Sequence, residues 1–531
     1  MMSGIEKLCE VYDLFTNHDA VVRLPFLIKG NLVIPPAITR EYIEDSFRNV
    51  DKKTTYVKLP EGQIIRQPLY DKDRMAPTGD YIYLTMPVVS AAELPERDID
   101  KLVRGTYALS VDEILAFLES IVAQIASDPG FIIKVLDLYH LTTGFPEIML
   151  DNLIISVTNF CNREAARQLI DNELSLWGKP GSEFLNGWVD IPAQSFNGSA
   201  VGNISSGFTP NTKFSIRAMP TRQLHITAGN VPEVPLASIL RAILTKSAAT
   251  IKLAEGAGIP GALFTLAVAA AAPDHPLTRN LSVVYWQGGD SSIESHLFKT
   301  GAYDRIVVWG SPETVAAVQS QAKLTRTICF NPRYGVSLIG REVFSGDPED
   351  VAGKAVADVM IYNQQACTSA LVQYIEGNDE QVAQYARLLQ KRLAEWDDLA
   401  SHYVLPYAIG QIKSLKRGRY NQADWYLNEK DGRYSSGVMV ARDEFDLLNH
   451  PMSRLVVIRP VASLSNALPY LSQNVSTVGV YPESKRMELR DDIAARGVSD
   501  IFPLGECERI YAGMPHDGMP VLSQLVDWKN A

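Results

Sequence analysis

From Gln223 onward the chain alternates short apolar runs with longer amphipathic stretches. QLHITA, ATIKLA, LSVVYW and DRIVVW, beginning at Gln223, Ala249, Leu281 and Asp304, read as strands. Pro232 to Ser247, Gly261 to Ala272, Ser291 to Lys299 and Pro312 to Ala322 read as the helices between and after them, and another strand runs through Val336 to Ile339. Strands separated by helices imply βαβ units and a parallel sheet. Runs as continuously apolar as LSVVYW imply helices over both faces. A second unit starts after Asp347: a helix from Asp350 to Ile361, the strand ALVQYIEG from Ala370, a helix from Glu380 to Leu399, then the strands RLVVIRPVASL and STVGVY. Lys413 to Asp446 is polar and reads as loop. Upstream, LPFLIKGNLVIPP (Leu24 to Pro36) predicts a β-hairpin turning at Lys29-Gly30-Asn31, and Val111 to Gln168 has helical periodicity. Ser195 to Pro220 is rich in Gly, Ser and Asn and predicts a two-stranded excursion. The expected fold class is α/β, with two doubly wound parallel-sheet domains and a β-hairpin excursion.

Composition narrows the function classes. A chain of 531 residues with 46% apolar and 21% charged residues buries more than one core, which excludes wholesale disorder. The net charge of −11 is not the footprint of a general nucleic-acid binder. Five widely spaced cysteines, an odd number with no CxxC, suggest neither a disulfide framework nor a metal site. They fit a reducing, cytoplasmic setting. MMSGIEKLCEVYDLF lacks the apolar core of a signal peptide, and GALFTLAVAAAA (Gly261 to Ala272) is too short to span a bilayer.

Several short motifs can carry chemistry. Gly256-Ala-Gly258-Ile-Pro-Gly261 matches GxGxxG between a strand and a helix, but Pro260 removes a backbone donor and the next strand ends in WQGGD rather than in the expected acidic residue. A Gly-rich helix entry is the simpler reading. Lys252 ends an apolar strand, where α/β folds bind ligands, and Glu255 follows close behind. Alone, the two read more readily as a surface ion pair. In Thr227-Ala228-Gly229-Asn230, Asn230 can cap the next helix or donate to an oxyanion. Cys367 stands in a polar loop between Gln364-Gln365 and Thr368-Ser369. A lone cysteine is usually a small buried hydrophobe, yet polar neighbours on both sides are unusual for one. His225 reads as a core histidine and His516-Asp517-Gly518 as a structural turn. GxSxG, HExxH and GxxxxGK[ST] are absent from the sequence.

In this order, HITAGNVPEVPLASILRAILTKSAATIKLAE, NQQACTSALVQY and HDGMPVLSQLVDW resemble the aldehyde dehydrogenase superfamily. Within it they are most similar to the LuxC-type fatty-acyl-CoA reductases of bacterial luminescence. The resemblance implies Cys367 as nucleophile and Asn230 as the side-chain half of an oxyanion hole. It further implies Lys252 and Glu255 on an adenosine ribose, Ala228, Gly229, Gly288 and Gly289 around the cofactor, and the QGGDSS turn near a diphosphate. The implied cofactor is NADPH, or NADH, since a carboxylate such as Glu255 disfavours a 2′-phosphate. The implied substrate is a long-chain acyl-CoA, with an acyl-protein synthetase or acyl carrier protein as partner, no nucleic acid and no membrane span. The implied assembly is a homodimer or homotetramer. The matching domains are residues 1–194 and 219–330 for the cofactor, 195–218 as oligomerisation hairpin, 331–500 carrying the cysteine, and 501–531 as tail. The water-activating glutamate of the hydrolytic dehydrogenases has no counterpart in CFNPRYGVSLIG (Cys329 to Gly340), and Val456 stands where a second glutamate is expected. Lack of a water-activating base favours reduction of an acyl-enzyme over its hydrolysis. Alternatives are a short-chain CoA-acylating dehydrogenase, an acyl-phosphate reductase, and a cysteine acyltransferase or acyl-binding subunit without redox activity.

Overall fold

The computed structural model describes residues 4–48, 50, 51, 53–71, 76–192 and 213–531. Two seven-stranded sheets form its centre. The first runs Arg326–Phe330, Arg305–Trp309, Arg222–Ile226, Ala248–Lys252, Leu281–Val284, Phe26–Ile28 and Asn31–Val33 in spatial order. Its first five strands are parallel, and the hairpin joins antiparallel through Leu27 opposite Val283. The hairpin turn holds Lys29 and Gly30 at φ 46° and 78°, the backbone twist that two-residue hairpins favour. A Cβ on Gly30 would lie 2.7 Å from the Arg279 Cα, so this turn needs glycine.

Arg222–Ile226 is flanked by the first and the third of the strands that follow it in the chain, so the strand order reverses there. Such a reversal opens a crevice at the carboxyl ends of the strands, where doubly wound folds bind ligands. The edge strand Arg326–Phe330 is not predicted by periodicity. It starts with the exposed Arg326 and half-covered Thr327, so its apolar signal is short.

The second sheet runs Asp424–Lys430, Arg433–Val440, Leu455–Val461, Ala370–Glu376, Tyr334–Ile339, Val475–Tyr481 and Asp500–Pro503. Only Asp424–Lys430 is antiparallel. The loop expected over Lys413 to Asp446 is instead the end of a helix (Pro406–Arg417) and a hairpin. Its outer strand is polar because it lies at the sheet edge, half-exposed along its length, and the turn at Asp431-Gly432 supplies two positive φ values. Val456, where the resemblance leads one to expect a second glutamate, is wholly buried inside this sheet.

Four helices, Val111–Ala126, Pro129–Thr143, Glu147–Phe160 and Arg163–Glu173, make the predicted helical region. Gly258–Ala271 packs beneath the first sheet and is buried at every position through Ala269. Most of the hairpin expected at residues 195–218 lies outside the described residues. Its returning strand, Lys213–Met219, pairs with Val189–Pro192 on one side and with Asp527–Asn530 on the other. The tail thus closes back on the first unit, where the Leu522 N–H donates to Glu173 and Arg305 Nε to the Gln524 carbonyl. Among the described residues no helix is long and apolar enough to cross a membrane.

Candidate active site

The crevice end of the strand Arg222–Ile226 carries Thr227, Ala228, Gly229 and Asn230, and the helix Glu233–Leu244 begins just beyond. Gly229 lets this turn press against the next one: a Cβ there would sit 3.1 Å from the Ala254 Cβ and 3.3 Å from the Gly256 nitrogen. Asn230 is exposed and its side chain caps nothing. Its Nδ2 donates to the Gln365 carbonyl at 2.8 Å. That bond crosses from the first unit to the second and brings Asn230 to the loop of Cys367.

The Cys367 loop has an unusual backbone. Tyr362, Asn363 and Gln364 lie in succession at φ 43°, 55° and 68°, a left-handed run that non-glycine residues rarely adopt. Buried bonds hold each of them. The Tyr362 hydroxyl donates to Glu233, in the first turn of the helix from the other unit. Arg454 donates from Nε to Asn363 Oδ1 at 2.9 Å, from Nη1 to Asp397 at 2.7 Å and from Nη2 to the Ala400 carbonyl at 2.7 Å. Gln364 Nε2 donates to the Leu455 and Ala370 carbonyls. Strain of this kind persists only where the surroundings over-determine it, and it concentrates at functional sites.

Cys367 itself is partly exposed. Burial of the sulfur pushes its thiol up to about 12, and the Asp517 and Asp500 carboxylates push the same way. Its own backbone N–H and Arg333 pull in the opposite direction. The resting group is therefore a thiol that needs a proton acceptor before it attacks. Ser476 Oγ donates to the Cys367 carbonyl and fixes the loop from the strand Val475–Tyr481. The turn at His516-Asp517-Gly518, expected to be purely structural, thus lies within electrostatic reach of the thiol.

The residues expected on the cofactor side lie at the ends and turns of the neighbouring strands. Lys252 ends its strand over the rings of Tyr285 and Trp286, with Nζ 5.7 and 5.8 Å from their centroids. Among the described residues it donates no hydrogen bond, and burial pulls its ammonium down to about 8 despite Glu294 and Glu255. A desolvated ammonium without an acceptor is incomplete as it stands, and the hydroxyls of a nucleotide ribose would satisfy it. Glu255 stands beside it in the next turn. The QGGDSS turn is occupied by its own side chains. Gly289 N–H donates to Glu294, and Asp290 caps the following helix while pairing with Lys58 at 3.0 Å. Gly288 and Gly289 are exposed and meet no atom that a Cβ would touch. Across the crevice from Asn230, the strand Arg305–Trp309 leads through Gly310 into the helix Pro312–Ala322, capped by Ser311. Of the GxGxxG glycines Gly256 packs on the crevice turn at Gly229, whereas Gly258 packs against Leu24 and Gly261 against Leu253.

The signal missed in the sequence is charge brought in from a distance. Arg333, Ser476, Asp500 and Asp517 are far apart along the chain and meet only through the second sheet and the tail. His225 is wholly buried as expected but only half satisfied: Nε2 pairs with Gln223 at 2.8 Å and Nδ1 has no partner.

The architecture that positions these residues recurs in solved structures. NADP-dependent glyceraldehyde-3-phosphate dehydrogenase from Bacillus halodurans C-125, solved in complex with NADP, superposes with a TM-score of 0.66 at 15% identity, covering 96% of this chain and 98% of its own. Lactaldehyde dehydrogenase from Escherichia coli gives 0.67 at 13% identity, covering 96% and 98%. The fold is that of the aldehyde dehydrogenases. Residues 203–528 match the acyl-CoA reductase (LuxC) family, and the chain belongs to that family of oxidoreductases. Among its relatives, the long-chain acyl-protein thioester reductase of Photorhabdus laumondii subsp. laumondii is 31% identical over 343 residues, covering 61% of this chain and 67% of the relative. That of Vibrio harveyi is 26% identical over 337 residues, covering 61% and 67%.

Proposed function

We propose that this chain reduces a long-chain acyl thioester to the aldehyde, with Cys367 carrying the acyl group between its donor and hydride. The observation that carries the reading is the Asn230–Gln365 bond, which sets a side-chain amide beside the Cys367 loop at the crevice. The Cys367 sulfur attacks the thioester carbonyl and the donor thiol departs, leaving an acyl-enzyme. Asn230, with its remaining amide hydrogen, and the Cys367 N–H stabilise the oxyanion. A nicotinamide nucleotide, when bound, supplies the hydride. Lys252 and Glu255 would hold its ribose, Ala228 and Gly229 would line the crevice beside it, and Gly310 leads into the Ser311-capped helix entry that its diphosphate would approach. The QGGDSS turn, already engaged by Glu294 and Asp290, borders the site. CFNPRYGVSLIG holds Arg333 but no carboxylate, which favours an acyl-enzyme that survives until reduction.

The relatives' names favour a protein-bound acyl donor, with acyl-CoA as an alternative source of the same thioester. NADPH is the nucleotide we favour. The free state of all five cysteines suits the cytoplasm. The sheet built on Lys213–Met219 suits a homodimer or homotetramer, and residues 331–500 suit a catalytic domain docked on a cofactor domain. Incubation with a long-chain acyl-CoA or acyl-protein, without nucleotide, is expected to leave an acyl adduct on Cys367 by peptide mass spectrometry. Added NADPH should then discharge it as aldehyde. An adduct that persists in Cys367→Ala defeats the reading.

A further inference from the structure

Asn230 and Glu233 stand three residues apart where the helix Glu233–Leu244 begins, and Tyr362 and Gln365 stand three residues apart on the Cys367 loop. Their contacts run in opposite senses. Asn230 Nδ2 donates to the Gln365 carbonyl at 2.8 Å, and the Tyr362 hydroxyl donates to Glu233 Oε1. A single hydrogen bond fixes a separation and leaves rotation about itself, whereas two bonds at matched spacing fix both. Among the described residues no other group bonds the Asn230 side chain. Glu233 Oε2 is buried with no partner, so Tyr362 is the one described side chain that holds this carboxyl.

Both sides of this clamp are stiff. On the loop, the Gln365 N–H donates to the Tyr362 carbonyl at 3.0 Å and closes the left-handed run into one turn. Phe145 packs edge-on to the Tyr362 ring with centroids 5.5 Å apart, and its carbonyl pairs with His140 Nδ1 at 2.6 Å. On the helix, Pro232 at φ −71° and Pro235 restrict the backbone on either side of Glu233. Pro235 falls in the first turn, where a missing N–H leaves no helical bond unmade. A displacement of Glu233 is therefore carried to Asn230.

From this arrangement we propose that Glu233, held by Tyr362, is a positioning residue for the oxyanion donor Asn230. The proposal rests on the reading of Cys367 as acyl carrier. Asn230 Nδ2 carries two hydrogens, and the Gln365 carbonyl takes one. The Tyr362–Glu233 bond sets the angle at which the other is presented beside the Cys367 loop. Glu233 touches no reacting atom in this role and acts through Asn230 alone.

Two rates on the full chain test this: single-turnover acylation by palmitoyl-CoA without nucleotide, and alkylation of Cys367 by iodoacetamide, which builds no oxyanion. Tyr362→Phe keeps the ring and removes the hydroxyl. Acylation is expected to slow by about tenfold or more, with alkylation unchanged within about twofold. Glu233→Gln keeps an acceptor for the hydroxyl and is expected to acylate within about threefold of the unaltered chain, the difference between a charged and a neutral acceptor. In the Asn230→Ala background, Tyr362→Phe is expected to slow acylation no further than about twofold, because the donor it positions is gone. Slowing that multiplies in full in that background, a change in both rates together, or a Glu233→Gln variant as slow as Tyr362→Phe would each overturn the assignment. So would unchanged acylation in Tyr362→Phe. An unaltered chain that takes no acyl group on Cys367 would instead overturn the functional reading beneath it.

Discussion

Arg454 is wholly buried, and its pair with Asp397, itself almost fully buried, is the clearest test of how the nucleophile loop is held. Arg454→Met keeps the volume of the side-chain stem and removes the three donors. Asp397 would keep only the Ser436 hydroxyl, at 2.5 Å. Leaving one member of a buried ion pair without its partner costs about 3–5 kcal/mol. The second sheet should accordingly lose about a hundredfold to a few thousandfold in native-state hydrogen-exchange protection over Ala370–Glu376 and Leu455–Val461. The loop bears a separate load. Left-handed conformations at Tyr362 and Gln364 cost ~1–3 kcal/mol each, with Asn363 cheaper, and the Asn363–Arg454 bond is one of few opposing them. The double variant Arg454→Met/Asp397→Leu separates the two effects. Protection should return, because no charge is stranded, while acylation of Cys367 should stay at least about tenfold slow, equivalent to losing a ~1.4 kcal/mol hydrogen bond. A double variant that acylates at the original rate would show that the loop does not depend on this brace.

Asn230→Ala is expected to lower turnover by about a hundredfold, the usual loss for one oxyanion donor, with a smaller change in KM, as steady-state kinetics will show. Lys252, pulled down to about 8, is an ammonium below that pH and a neutral amine above it. Nucleotide affinity, followed by quenching of tryptophan fluorescence, should therefore weaken as pH rises through 8, and Lys252→Met should be weak throughout without that step. His225 and His450 are buried neutral, with burial pushing both down to about 3 from an ordinary value of 6.5. Their folded-state pKa values are depressed, so the stability they contribute is complete above pH 6.5 and drains away as pH falls toward 3. Thermal unfolding should show that acid decline, and His225→Gln should flatten it.

The βαβ winding was legible because strands such as LSVVYW are apolar on both faces, a pattern that only helix-covered strands require. Pro312–Ala322 was legible for another reason: Ser311 and Pro312 mark a helix start with its own chemistry. The hairpin Asp424–Val440 was not legible, because an edge strand facing water on one side reads as polar loop, although Asp431-Gly432 carries the turn signal. Cys367 and Lys252 could be picked out by position within short motifs. The seam position of Asp517 could not, because a turn of His, Asp and Gly looks alike whether it faces solvent or packs beside Arg333 and Trp309. Arg454 begins an apolar strand as an ordinary charged flank would. Only tertiary structure shows it buried beneath Asn363.

Two bonds fasten the Cys367 loop to the other half of the molecule, Asn230 to Gln365 and Tyr362 to Glu233. Together they make a riveted joint rather than a hinge. Parting the halves would break both bonds and release the strained backbone at once.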